Sequence, residues 1–336
     1  MLQIKNISNS PVTADETIIL EIRTLFPDFD EPLQDLIAGM SGCSPFLYGL
    51  VKKEINWIKN TLTSNLNPKA EIINEVLQSS DVHKSLRVAK GRIALWTALQ
   101  DLSGNWQLED VSKCLSEFAD FSVKVALKTA IETIIAERKF SKLKNYHDAE
   151  QIGIFILAMG KLGARELNYS SDIDLVCFFD DEKLAEKDFF ETRKAAIAVV
   201  KRVAKILSET TEHGYVFRTD LRLRPDPSVN PVCIGFEAAE KYYEALGRTW
   251  ERAAYIKARY CAGSKSLAVK FLAALYPFVW RKYLDFAAIE DAHSIRIRYQ
   301  RKIELKTISS ILGHDIKLGL GGIRDIEFFT QTRQLI

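Results

Sequence analysis

Two aspartates stand one residue apart in Asn168-Tyr-Ser-Ser-Asp-Ile-Asp-Leu175. In a strand the side-chain period of two puts Asp172 and Asp174 on one face, with Ile173, Leu175 and Cys177 on the other. Carboxylates held side by side repel, and one keeps its proton unless a cation sits between them. The economical chemistry is a magnesium site, because Mg2+ takes oxygen ligands and combines one or two carboxylates with substrate phosphates. The competing reading is a solvated strand end.

Context favours the chemical reading. Ile152 to Met159 is an apolar run of strand length that stops at Gly160, and Gly163 follows within the same turn. A glycine-containing turn lets backbone N–H groups come close to phosphate oxygens. The pattern is similar to the nucleotidyltransferase signature, an apolar residue, Gly, then Gly or Ser, then Asp-x-Asp. It departs from that signature at Lys161, which stands where Gly or Ser is expected.

A third carboxylate comes from Val216-Phe-Arg-Thr-Asp-Leu-Arg-Leu-Arg-Pro225. Its alternation predicts a strand with Asp220, Arg222 and Arg224 on one face, ended by Pro225 and Pro227. A carboxylate followed by two guanidinium groups suits a metal and a phosphorylated ligand, because the Arg fork matches phosphate oxygens. A solvated sheet face with local Asp–Arg pairing is the alternative.

Four blocks now stand in one order: Gly160 to Leu175, Arg218 to Pro225, Gly247-Arg-Thr-Trp-Glu-Arg-Ala-Ala-Tyr-Ile-Lys-Ala-Arg259 and Lys317-Leu-Gly-Leu-Gly-Gly-Ile-Arg-Asp-Ile-Glu-Phe328. Together they resemble the glutamine synthetase adenylyltransferase/adenylyl-removing family and span roughly half the chain. Such enzymes carry two nucleotidyltransferase domains joined by a helical region, and this version resembles the amino-terminal, adenylyl-removing half. The resemblance implies a polymerase-β-like mixed sheet embedded in a largely helical α+β protein. It implies phosphorolytic removal of AMP from a tyrosine of adenylylated glutamine synthetase, with inorganic phosphate consumed and ADP released. Further implied partners are ATP, a PII-type nitrogen-signalling protein and the absent adenylyltransferase domain, all in the cytoplasm.

On this reading Asp172, Asp174 and Asp220 hold one or two Mg2+ ions, which would sit about 4 Å apart if paired for in-line displacement. Lys161, Arg222 and Arg224 offset the charge of phosphate and diester, and Gly160 and Gly163 form the turn. Ser171 either positions a phosphate oxygen or caps the strand end. The resemblance raises Glu251, Arg252 and Lys257, on an expected helix, to groups shaping the nucleotide pocket. It also keeps Arg324 and Glu327 as candidates, while Gly319, Gly321 and Gly322 read as a packing turn. Two alternatives stay open: an ATP-dependent adenylyltransferase, and a non-catalytic docking module.

The elements that must position these groups are mostly helical. Helices are expected at Glu16–Phe26, Phe46–Leu62, Lys69–Leu77, Asp81–Leu102 and Leu108–Phe140, with Pro, Asn and Gly between them. Strands are expected near 152–159, 172–179 and 216–224, around a helix at 185–212. Residues 236–311 read as helix again, with a charged stretch at Asp291–Lys306. The expected organisation is a helical region (1–150), a catalytic core (151–235) and a helical region completing the site (236–336).

With 336 residues and 47% apolar content the chain can bury a large core. A net charge of +2 gives no basic surface for nucleic acid. No apolar run reaches membrane-spanning length, and the start lacks a signal core. Five scattered cysteines read as reduced thiols, and no His spacing suggests metal. The apolar, uncapped end at Leu335-Ile336 reads as a cut through a longer protein.

Overall fold

The computed structural model describes residues 4, 6–137, 152–181, 189–280, 315–319 and 321–335. Parts of the helices expected at 108–140 and 185–212, and all helix expected from 281 to 311, lie outside them.

Seven helices open the chain: α1 (Glu16–Leu25), α2 (Glu31–Cys43), α3 (Pro45–Lys53), α4 (Ile55–Thr63), α5 (Pro68–Gln78), α6 (Val82–Leu102) and α7 (Leu108–Ala136). Polar caps start several of them. Asp15 accepts from the Thr17 and Ile18 amides, Asn67 from Ala70, and Asp81 from Lys84, each satisfying an amide that the first turn leaves open. Helix α2 was not expected. The single helix expected over 46–62 is two, because Glu54 leaves helical geometry with φ −114° and ψ 25°. Its carboxylate accepts from Arg92 Nε at 2.7 Å.

The strands among the described residues are β1 (Ile154–Ala158), β2 (Ile173–Phe179), β3 (Thr219–Asp220), β4 (Cys233–Gly235) and β5 (Arg259–Gly263). Among the described residues the remaining helices are α8 (Gly160–Ala164), α9 (Phe189–Ser208), α10 (Phe236–Ala245), α11 (Thr249–Tyr255), α12 (Lys265–Val279) and α13 (Ile323–Leu335). The sheet runs β3-β2-β1-β5, with β4 also beside β2. Strand β1 is antiparallel to β2, with Ala158 opposite Leu175, and antiparallel to β5, with Ala158 opposite Arg259. Strands β2 and β4 are parallel. The fold is therefore mixed, mostly helices around a small sheet.

Two corrections follow. Residues 236–311 are not continuous helix, because β5 lies within them and flanks the buried β1. The strand expected over 216–224 shrinks to Thr219–Asp220, for a reason that belongs to the site.

The chain forms two compact units. One gathers residues 1–137 with 164–173 and 199–219; the other gathers 138–163, 174–198 and 220–336. The boundary passes between Ile173 and Asp174, and again between Thr219 and Asp220. In the first unit Phe118 is fully buried on α7, its ring 6.1 Å from that of Phe217. Truncating such a side chain to Ala typically costs about 3–5 kcal/mol. In the second, Phe155 and Phe178 meet across β1 and β2 and pack on Phe271 of α12, which also meets Phe236 of α10. All five cysteines are free thiols, and only Cys43 is exposed. Among the described residues no helix is long and apolar enough to cross a membrane.

Candidate active site

Strand β1 is buried along its whole length and delivers the chain to Gly160. The Met159 amide donates to the Asp174 carbonyl at 2.9 Å, fixing the register between strand end and carboxylate. Gly160 then turns with φ +53°, and a Cβ built on it would lie 2.5 Å from Asp174 Oδ2. Only glycine both adopts that backbone and leaves the carboxylate its place. The expected glycine turn is in fact one turn of helix, α8. A Cβ on Gly163 would lie 2.0 Å from the Lys257 carbonyl oxygen, so this glycine serves close packing of backbone on backbone. Arg259 of β5 closes α8, donating to the Leu162 and Gly163 carbonyls at 2.8 and 3.1 Å. Lys161 is exposed on the turn.

Asp172 directly precedes β2 and is exposed. Its Oδ1 accepts from Arg218 Nε at 2.5 Å, and Arg218 also donates to the Ser170 carbonyl at 2.8 Å and the Tyr215 hydroxyl at 3.2 Å. The hydrogen bond to Asp172 raises the Arg218 pKa further. In the sequence Arg218 heads the Arg218–Pro225 block, two residues before Asp220, with nothing there to mark Asp172 as its partner. Ser171 closes a turn, its hydroxyl accepting from the Asn168 amide at 3.3 Å.

Asp220 ends β3, and there the expected alternation fails. The Asp220 carboxylate accepts the Arg222 backbone amide at 2.8 Å and the same residue's Nη2 at 2.5 Å. A short acidic side chain that captures the amide two residues on offers the backbone an alternative to the strand ladder. The chain turns at 222–223, and Arg222 folds back over Asp220 instead of following it along a strand face. This hydrogen bonding holds the Asp220 carboxyl below the usual carboxylate range, against a smaller opposing effect of burial. Arg224 does not share that face either. It donates to the Leu221, Pro227 and Asn230 carbonyls at 2.7, 2.9 and 3.1 Å and so holds the loop.

The later candidates divide. Glu251 and Arg252 lie on α11 and are buried, 1% and 3% exposed. Glu251 accepts from the Arg248 amide at 2.8 Å, and burial raises its pKa. Arg252 Nη2 donates to the Val279 carbonyl at 3.3 Å, at the end of α12. Lys257 falls in the turn after α11 rather than on the helix. Arg324 is exposed and Glu327 half-buried in α13, which runs beside α11. Ahead of it Gly322 donates to the Gly319 carbonyl at 2.9 Å in a turn closed by its own backbone.

The structure thus brings Asp174 to Gly160, Asp172 to Arg218 and Asp220 to Arg222. Among the described residues, no three Asp, Glu, His or Cys side chains gather as a ready metal-holding group.

Comparison with known proteins decides the family. Residues 38–274 match the family model described as glutamate-ammonia ligase adenylyltransferase. The chain belongs to this family. Residues 292–336 match a second model, GlnD PII-uridylyltransferase. A relative from Bradyrhizobium sp. (strain BTAi1 / ATCC BAA-1182) is 41% identical over 90% of this chain and 32% of its own length. One from Caulobacter vibrioides is 40% identical over 89% of this chain and 31% of its own, and one from Bartonella quintana 42% over 95% and 32%. Each is named a bifunctional glutamine synthetase adenylyltransferase/adenylyl-removing enzyme. The chain spans about a third of the length of these curated relatives.

Proposed function

We propose that this chain is a nucleotidyltransferase of the adenylyl-removing kind, with a polymerase-β-like sheet, acting on adenylylated glutamine synthetase in the cytoplasm. The observation that carries the reading is the fit of Asp174 against Gly160, on the strand next to the one that ends in Asp220. A carboxylate oxygen occupies the space a Cβ would fill, beside a strand-to-helix turn that leaves room for little else. The relatives' names supply the substrate class.

The donor chemistry fits a hard divalent cation such as Mg2+: three carboxylates, with Asp220 held anionic. Asp172, Asp174 and Asp220 would hold it, Asp172 and Asp220 releasing Arg218 and Arg222 to do so. When bound, the cation would neutralise charge on the phosphoryl oxygens. Arg222 and Lys161, both exposed, then face the anionic phosphate, while Arg224 keeps the loop in shape. An oxygen of inorganic phosphate attacks the phosphorus of the AMP–tyrosine ester, the bond to the tyrosyl oxygen breaks, and that oxygen takes a proton. The products are ADP and free tyrosine.

On this reading residues 151–235 form the catalytic core, flanked in the chain by residues 1–150 and by residues 236–336, which add strand β5 to its sheet. A PII-type signalling protein would regulate the longer protein, a view supported by the second family match.

The test is a panel of Asp172→Asn, Asp174→Asn and Asp220→Asn, with adenylylated glutamine synthetase, Mg2+ and phosphate. Each should fold and lose activity. Near-parental turnover by Asp174→Asn would refute the assignment. Consumption of ATP with AMP attached to the target would favour the reverse activity, adenylylation.

A further inference from the structure

Helix α6 carries Arg87 and Lys90 one turn apart, and both reach the segments that lead into Asp172 and Arg218. Arg87 is 3% exposed and donates to the Gly214 and Glu209 carbonyls at 2.9 and 2.5 Å. Lys90 touches both segments at once. Its Nζ is 3.4 Å from the Tyr169 carbonyl oxygen and 4.2 Å from the centre of the Phe217 ring. Tyr169 precedes Ser170, whose carbonyl accepts from Arg218, and Phe217 precedes Arg218 itself. The Ile173 amide joins the same two segments by donating to the Arg218 carbonyl at 2.9 Å.

We propose that Lys90 is a positioning residue for the Asp172–Arg218 pair, its ammonium tying the segment that ends at Asp172 to the segment that ends at Arg218. An aromatic face attracts a cation through its quadrupole, and a carbonyl dipole does the same. In largely buried surroundings both attractions exceed their strength in water. A neutral side chain of similar length offers neither, so the segments would separate while the helix stays. Nothing in the catalytic chemistry requires Lys90 to touch substrate. The inference rests on Asp172 serving the reaction proposed above.

The experiment is amide hydrogen exchange on the full chain, parental, Lys90→Met and Lys90→Arg, beside steady-state phosphorolysis. In Lys90→Met the amides of 169–173 and 215–218 should exchange at least tenfold faster, with α6 and α7 unchanged. The value of kcat should fall on the order of a hundredfold, the scale of a small misplacement at a reacting centre. KM for phosphate should hold, and Lys90→Arg should restore both readouts. Unchanged exchange in the two segments of Lys90→Met overturns the inference, whatever the activity does. So does faster exchange throughout the unit without rescue by Arg. If Lys90→Met does not fold, Lys90→Gln tests the cationic contact with the Phe217 ring, since it removes the charge. An inactive parental chain that retains the exchange contrast would sink the proposed reaction and leave the anchoring intact.

Discussion

Gly160 and Asp174 meet at a distance that admits no side chain, a Cβ on the glycine falling 2.5 Å from the carboxylate oxygen. The atom in the way is the end of a side chain rather than backbone, so the cheapest relief is to move Asp174. Gly160→Ala should therefore cost more in activity than in stability. The left-handed backbone at φ +53° adds roughly 1–2 kcal/mol of strain. Turnover should drop by two orders of magnitude or more, the scale of a misplaced reacting group. Kinetics and urea unfolding of the one variant check both halves.

Gly163 offers the contrast. There the obstacle is the Lys257 carbonyl oxygen, at 2.0 Å, and backbone cannot step aside cheaply. Gly163→Ala should lower the unfolding midpoint more than Gly160→Ala does.

Arg222 keeps the Asp220 carboxyl below its ordinary value, which has a definite sign in pH. A depressed folded-state pKa contributes stability that is present above the unfolded value, near 3.9, and lost as pH falls through the folded one. Asp220 should stay ionised to a lower pH than an ordinary carboxylate does. In Arg222→Met the main cause of depression goes, burial remains, and the carboxyl should titrate higher. A carbon-13 NMR titration of Asp220 reads this directly. An unmoved midpoint would show that Arg222 is not the cause.

How much of this was legible in the sequence depends on what each residue's neighbours left open. The apolar runs at 154–158 and 173–179 are buried strands, and the alternation of Asp172-Ile-Asp-Leu-Val-Cys marked the second. Strand β5 was missed because Arg259-Tyr-Cys-Ala-Gly is short and sits between two helical patterns, with nothing local to separate them. The segment after Asp220 alternates well, yet a carboxylate two residues from an open amide outcompeted the ladder. Helix α2 contains Pro32, Gly39 and Gly42, which read as punctuation until packing overrides them. For the site, residue types were readable and partners were not. Arg218 and Lys90 gain their meaning from segments distant in the chain.

Burial depresses Lys90 to about 8. The unfolded chain holds that proton to about 10.4, so between these values the unfolded state binds more protons and stability rises with pH. The group stays mostly charged at pH 7, as its proposed anchoring needs. Lys90→Met should lack this rise. Between about pH 7.5 and 9.5 the unfolding free energy of the parental protein should rise relative to that of Lys90→Met. Parallel curves would contradict the buried-ammonium assignment.

Glu251 reaches the Arg248 amide at the start of α11 and the Tyr242 hydroxyl. Its placement is that of a helix cap. Glu251→Ala should destabilise by about 1 kcal/mol, the usual scale for a lost cap. Glu251→Gln, which retains an acceptor, should lose less than Ala and leave the KM for phosphate unchanged. A large rise in that KM for Gln would make Glu251 a substrate group instead.

The most direct measurement follows the phosphorus. With isotopically labelled inorganic phosphate and adenylylated glutamine synthetase, the account predicts label in the β position of ADP, in step with recovery of unmodified tyrosine. Label-free AMP released at the same rate with or without phosphate would contradict it.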